Sequence, residues 1–469
     1  MKNNIKLNKN VISEVVNNDL CIGCGVCTAI CPTHNLTINF DNNGKYIANE
    51  AGRCLDSCNQ CFKICPFSSE EYPKNEELMA KEIFKNQENF NFDKSIGFFR
   101  NLYVGYAEKY KCRELGSSGG LARLMLIKLL ENNIVDYVIH VIPNNDPEKL
   151  FKFSVSSNKE DIEQTSKSAY YPVEMSEVLD FIKNNEGNYA ITALPCFAKG
   201  LRSAQNLNKN FKERIKFIFG LTCGQTKSKF FTNYIAALNG LSGDEKIVSI
   251  DFRNKSANQP ANNFSFNIQG KKNIKAFWND NISHIWTNRW FTPNACNYCD
   301  DLFAELTDIS FMDAWLPEYS QDWKGTNIII SRSEMLSNIL EEVNADGEIV
   351  ISPISLDKVK KSQKGPLVAK RIELSWRLFD NLKYKKKFPA KRVKPAKPKF
   401  YQLSYLIMKF KEHIRKKSFE YYPDLYDNKL LQCEMSLYEF IIKQIEVCNT
   451  ILYKFIKLVK KTKVRYDKI

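Results

Sequence analysis

Twelve of the fifteen cysteines in this 469-residue chain fall into groups whose spacing could do chemistry. The first is "CIGCGVCTAICP", residues 21–32, in which Cys21, Cys24, Cys27 and Cys31 are closed by Pro32. The second, "CLDSCNQCFKICP", residues 54–66, repeats the arrangement as Cys54, Cys58, Cys61 and Cys65 before Pro66, with one extra residue in the first gap. In runs of this kind three closely spaced thiolates reach three irons of one 4Fe-4S cubane, and the cysteine before proline crosses to the other cluster. The expected ligand sets are therefore Cys21, Cys24, Cys27 and Cys65 for one cluster and Cys31, Cys54, Cys58 and Cys61 for the second. Zinc is the competing reading, but four-cysteine zinc sites take two cysteine pairs set apart by a longer spacer. Gly23 and Gly25 suit a loop whose backbone N–H groups must approach sulfur. Such clusters carry single electrons, so what they connect to has to be sought further along the chain.

Four more cysteines lie there. Cys196 in "TALPCFAKGLR" and Cys223 in "FGLTCGQ" each follow an apolar strand-like run, at the strand ends where α/β proteins keep their sites. Cys296 and Cys299 form the pair in "NACNYCDD". Singly each reads as a buried thiol; together they have the ligand count of a third cluster. A Gly/Ser loop, Gly116, Ser117, Ser118, Gly119 and Gly120, sits between a strand ending near Tyr106 and a helix beginning near Leu121. Small residues there leave backbone N–H groups and the helix dipole open to a phosphate. The loop matches neither GxGxxG nor a P-loop, and a ligand-free glycine-rich helix entry reads equally well.

The elements that must position these groups form an ordinary globular chain, with 43% hydrophobic and 26% charged residues and enough length for two or three domains. Residues 1–75 hold both tight cysteine runs, with the spacing of two-cluster ferredoxins and an expected α+β ferredoxin-like fold. Residues 76–98 read as a polar connector. Residues 99–365 alternate β-rich runs (LYVGY, YVIHVI, NYAITAL, IKFIFGL, NIIIS) with helical stretches, the pattern of an α/β domain. Residues 366–399, rich in Lys and Pro, read as a linker, and 400–469 as a basic, mainly helical tail.

The net charge of +15 is a property of that tail. Residues 381–469 hold 23 Lys and Arg against 8 Asp and Glu, and the preceding 380 residues are neutral. This removes the argument for nucleic-acid binding by the body. No signal-peptide pattern and no apolar run of about 18 residues is evident, so a cytoplasmic protein is expected, its clustered cysteines metal ligands rather than disulfides. Within the tail, Leu437, Ile441, Ile445, Cys448, Leu452, Phe455 and Val459 recur at three and four, with Lys443, Lys454, Lys457, Lys460 and Lys461 around them. Packing against the protein's own helices is the plainer account; docking on an anionic surface at the inner membrane face is the other.

The ordered motifs "SSGGLARLML", "SKSAYYPVEMSEVL", "ITALPCFAKGLR", "FGLTCG", "CNYCDDLFAELTDISFMDAW" and "GTNIIISRS" resemble the family of coenzyme F-420 hydrogenase/dehydrogenase beta subunits, in its branch with a fused N-terminal ferredoxin domain. The resemblance implies an α/β body holding FAD beside a 4Fe-4S cluster. Carried over by residue, it implies Ser117, Ser118, Gly119 and Gly120 as the flavin diphosphate cradle, Lys167 as a flavin or phosphate contact, and Cys196, Cys223, Cys296 and Cys299 as ligands of a third cluster. Asp308 and Asp313 fall in a motif near the cofactor, where Met312 replaces the glycine favoured by hydrogenase subunits. The function implied is an oxidoreductase moving electrons between a hydride carrier, such as reduced coenzyme F-420, and one-electron carriers, with a redox partner protein or subunit. The alternative is an electron-delivery subunit without its own substrate; "KSAYYPV" resembles the form in homologues beside surface-polysaccharide genes. No catalytic side chain is assigned.

Overall fold

The computed structural model describes residues 9–69, 75–84, 90–165, 167–241, 245–399, 403–422, 424 and 429–466. The runs LYVGY, YVIHVI, NYAITAL, IKFIFGL and NIIIS become strands of one eight-stranded mixed sheet. Its order is Ile349–Pro353, Asn101–Ala107, Asn327–Ser331, Ile309–Asp313, Ile215–Leu221, Tyr189–Ala193, Tyr137–Pro143 and Phe151–Ser156. The four strands Tyr137–Pro143, Tyr189–Ala193, Ile215–Leu221 and Ile309–Asp313 run parallel, and the flanking strands pair antiparallel. Continuous apolar strands are what a parallel sheet covered on both faces requires, and Ile191, Ile218, Phe219 and Ile309 are fully buried.

This order decides where the cysteines go. Tyr189–Ala193 and Ile215–Leu221 are parallel neighbours, so their carboxyl ends, which lead into Cys196 and Cys223, lie side by side. Between Ile215–Leu221 and Ile309–Asp313 the chain inserts a three-stranded antiparallel sheet, Ser249–Asn254, Ser265–Gln269 and Asn273–Phe277.

The N-terminal segment is the expected ferredoxin-like unit. A hairpin, Leu36–Phe40 with Tyr46–Glu50, accompanies the short helices Val26–Ile30 and Gln60–Ile64 that follow the two cysteine loops. It does not hang free. A single apolar core containing Val26, Ala29, Ile64, Val178, Phe197 and Leu201 runs across the seam between this unit and the body.

Residues 366–399, expected as a linker, contain the helix Leu374–Lys383 and are tied down by charge. Arg371 pairs with Glu305 at 3.0 Å, Lys391 with Asp300 at 3.4 Å, and Arg392 with Glu305 at 2.5 Å. The tail is helical, as Leu403–Glu420 and Lys429–Tyr466. Its buried face differs from the expected stripe. Met435 and Ile442 are buried, with Leu431, Tyr438 and Ile445 packed beside them, whereas Leu437 is 56% exposed and Cys448 is exposed. Phe455 and Val459, like Lys454, Lys457, Lys460 and Lys461, lie outside the residues whose side chains are described.

Candidate functional site

The two tight cysteine runs bring their thiols together in crossed sets. Burial pushes the Cys27 thiol far above its usual value, and the neighbouring Cys24, Cys21 and Cys65 thiols push the same way, followed by Cys61 from the other set. Cys24 is raised by burial and then by Cys65 and Cys21. In the second set Cys54 is raised by burial and then by Cys58 and Cys31, and Cys61 by burial with Cys54 and Cys58 adding. Cys31, Cys54, Cys58 and Cys61 line one recess with Pro32 and Leu55. Each set thus contains the cysteine before proline from the opposite run.

The body cysteines converge as well. Burial raises Cys196 well above the ordinary thiol range, and the next contributions come from Cys299, Cys223 and Cys296. Cys223 is pushed up to about 12 by burial, opposed by Lys370 and reinforced by Cys296 and Cys299. Thiols crowded out of water resist ionising unless positive charge joins them, and bound iron supplies that charge. Among the described residues no group of three or more His, Cys, Asp or Glu converges on a single-ion position. Each set offers the four cysteines that a 4Fe-4S cubane takes, so the donor sets fit clusters.

The body set adjoins one of the ferredoxin sets. After the three body cysteines, the next neighbour of Cys196 is Cys24, and Cys21, Cys65 and Cys196 pack around one small core with Leu20, Phe62 and Ala295. The Cys31/Cys54/Cys58/Cys61 set includes a loop whose Leu55 is 50% exposed. Cys21, Cys24, Cys27 and Cys65 are thus the ferredoxin set next to the body cysteines, and the other ferredoxin set has an exposed loop.

Basic side chains pack around the body set. Burial alone would lower the Lys370 ammonium, but the Cys299 and Cys223 thiols outweigh it and hold it above its ordinary value; Lys370 also hydrogen-bonds Cys299. Thr226 donates its backbone N–H to Cys296 at 3.4 Å. Lys227, fully buried, donates to the Trp290 carbonyl at 2.7 Å and to Thr292 Oγ1 at 3.1 Å, and burial depresses its pKa strongly. Asp300 would be raised by burial, yet Lys391 and Arg392 hold it far below the carboxylate range.

The Gly/Ser loop is more occupied by its own fold than a bare phosphate cradle. Ala107 N–H donates to the Gly119 carbonyl at 2.7 Å, Ser118 Oγ to the Thr326 carbonyl at 3.0 Å, and Ser168 N–H to Ser117 Oγ at 2.7 Å. A Cβ on Gly119 would stand 2.8 Å from both Asn327 N and the Gly105 carbonyl, so the glycine is demanded by strand packing. Gly120, with φ +77°, caps the helix Leu121–Glu131. Lys167 reaches the same wall but pairs with Asp251 and, at 3.4 Å, Asn254.

Residues that sequence reasoning missed complete this wall. Lys255 donates to the Ser118 carbonyl at 2.7 Å and to the Arg113 carbonyl; burial, with Arg253 and Arg113 nearby, brings its pKa down to about 7. Arg253 grips Asp313 through two hydrogen bonds of 2.8 and 3.0 Å. Tyr170, raised by burial and opposed by Arg253, counts Asp313 and Cys223 among its neighbours, which joins the wall to the body cysteines. Thr222 Oγ1, Asp251 Oδ1 and Arg253 Nε are buried with no partner. Unpartnered buried polar atoms are costly, and along this wall they fit a polar ligand such as a flavin nucleotide. In the sequence, "SIDFRNK" carries no motif that marks Arg253 or Lys255.

A two-cluster iron–sulfur unit docked on a mixed α/β sheet defines an electron-transfer protein. Residues 20–69 match the 4Fe-4S dicluster domain, residues 102–180 the N-terminal part of the coenzyme F-420 hydrogenase/dehydrogenase beta subunit, and residues 186–357 its C-terminal part. The chain belongs to this family of oxidoreductases. It is 24% identical over 386 residues to the coenzyme F-420-dependent sulfite reductase of Methanocaldococcus jannaschii, covering 79% of this chain and 52% of that protein. The chain thus spans about half the length of that relative. It is 22% identical over 357 residues to one of the subunits of the F(420)H(2) dehydrogenase of Methanosarcina mazei, covering 73% and 87% of the two chains. A chain in a structure of the F-420-reducing nickel–iron hydrogenase complex from Methanosarcina barkeri shares the fold, with a TM-score of 0.50 and 18% identity over 65% of this chain and all of that one.

Proposed function

We propose that this chain is an iron–sulfur flavoprotein that exchanges electron pairs with a hydride carrier of the coenzyme F-420 type and passes single electrons to or from a partner protein through three 4Fe-4S clusters. The observation that carries the reading is the packing of Cys21, Cys65 and Cys196 around one small core with Leu20, Phe62 and Ala295, which sets the body thiols beside the inner ferredoxin thiols. FAD, when bound, supplies the conversion between two-electron and one-electron chemistry that a hydride carrier and an iron–sulfur cluster need in order to communicate. Ser117, Ser118, Lys167 and Lys255 would hold its polar end, with Lys255 offering positive charge to phosphate. Arg253, fixed by Asp313, and Tyr170 lead from there toward Cys223. Lys370, Thr226 and the apolar packing around Cys196 orient and shield the body thiols. The partner meets the outer set at the loop of Cys54 and Cys58, where Leu55 stands exposed.

Anaerobic purification followed by flavin extraction tests the cofactor, with about one FAD per chain expected for a single site. Bleaching of the flavin band by reduced coenzyme F-420, and not by NADH or NADPH, supports the carrier. FAD without any bleaching leaves a relay protein serving a partner enzyme; no flavin removes the reading.

A further inference from the structure

The C-terminal helix Lys429–Tyr466 has two apolar faces. One is used within the protein: Met435 and Ile442 are buried and join the core of Phe231, Phe252 and Phe266. The other faces solvent. Leu437, Phe440, Val447 and Ile451 are 56%, 58%, 51% and 62% exposed. Steps of three, seven and four residues keep these side chains on one stripe of a helix, well away from Met435 and Ile442. Lys443 is exposed along the edge of this stripe. The remaining sequence of the same helix adds Lys454, Lys457, Lys460, Lys461, Lys463 and Arg465.

We propose that this outward face docks the protein on an anionic lipid surface, with the helix lying in the plane of the headgroups. Two features select that occupant. The apolar stripe runs into the most basic stretch of the same helix, where residues 452–466 hold six Lys and Arg and no Asp or Glu, and an apolar stripe continued by cations matches an acidic bilayer interface. The same excess opposes a second copy of the chain, because two such helices side by side would bring like charges together. No helix of the described residues is long and apolar enough to cross a membrane, so the contact is one of lying on the surface. The proposal goes beyond the electron-relay reading and stands whether or not flavin or coenzyme F-420 is used.

The test uses the full-length holoprotein, prepared anaerobically and co-sedimented with vesicles of phosphatidylcholine alone or enriched in phosphatidylglycerol, at low and high salt. Binding should require the anionic lipid and weaken with salt. The double substitution Phe440→Glu with Ile451→Glu should lower the bound fraction roughly tenfold by placing two acids on the apolar stripe. Because both side chains are exposed, iron content and visible spectrum should not change, which separates lost docking from lost folding. Pelleting that is absent, unaffected by the substitutions, or indifferent to anionic lipid and salt overturns the proposal. So does a dimer in sedimentation velocity that the double variant dissolves, since the stripe would then belong to a second copy.

Discussion

Met175 donates its backbone N–H to the carbonyl of Cys24 across 3.1 Å, so the loop holding the inner cluster thiols is bonded directly to the body of the protein. The contact is close on both sides. Gly25 has φ +81°, and a Cβ there would stand 2.7 Å from Glu174 Oε2 and 2.8 Å from Ser176 N. The proposed relay would therefore depend on a backbone junction as well as on its cysteines.

Gly25→Ala should open that junction. A non-glycine residue at this φ costs about 1 kcal/mol or more before the clash is counted. Reduction of the body should proceed normally, while transfer on to the ferredoxin clusters slows by about tenfold or more, as small displacements do at positioned reaction partners. Stopped-flow spectra of the two phases report this, and an unchanged second phase would show that the junction does not set the relay.

The crossed ligand sets predict a specific pattern of loss. Cys31→Ser, although in the first run, should damage the same cluster as Cys58→Ser, and Cys65→Ser the same cluster as Cys24→Ser. Paramagnetic resonance of the reduced variants distinguishes the two signals. If Cys31→Ser instead matches Cys24→Ser, each run holds its own cluster.

Lys370 places a buried cation against Cys299. Positive charge favours the more negative, reduced cluster, so Lys370→Met should lower the midpoint potential of the body cluster. A unit charge at contact distance in a protein interior is worth a few kcal/mol, which for one electron is on the order of 100 mV. Redox titration followed by paramagnetic resonance reads the shift, and an unmoved potential assigns Lys370 to packing alone.

With FAD along this wall, as proposed, Lys255 would make flavin binding depend on pH. Its folded pKa of about 7 lies below the ordinary lysine value, so it is charged below that pH and neutral above it. A bound diphosphate prefers the charged form, so FAD affinity should fall as pH rises from about 6 to 8, and Lys255→Met should bind weakly at both. Equilibrium dialysis of the apoprotein measures it. Gly119→Glu is a poor probe here, because its Cβ collides with Asn327 and Gly105 whether or not a phosphate sits nearby.

The parts of this fold legible in the sequence are those written in apolar periodicity and cysteine spacing. Runs such as IKFIFGL are buried on both faces, which leaves an unbroken hydrophobic signature. The insert beginning with Ser249–Asn254 escaped because its short strands set polar residues between apolar ones and so leave no unbroken apolar run. Residues 366–399 read as a linker because their anchors are Arg371, Lys391 and Arg392 on Asp300 and Glu305, pairs of opposite charge far apart in sequence that periodicity cannot register. The tail helix was legible as a helix but not in its orientation: with apolar side chains on two faces, spacing alone could not say that Met435 and Ile442 turn inward and Leu437 outward.

The account rests on three thiol sets holding three clusters, and the iron content of the anaerobically prepared protein tests that most directly. Three four-iron cubanes require about twelve irons, with as many acid-labile sulfides, per chain. Twelve of each, falling to about eight in Cys196→Ala with both ferredoxin signals retained, is the result expected. Eight irons in the intact chain, or zinc in their place, would contradict it.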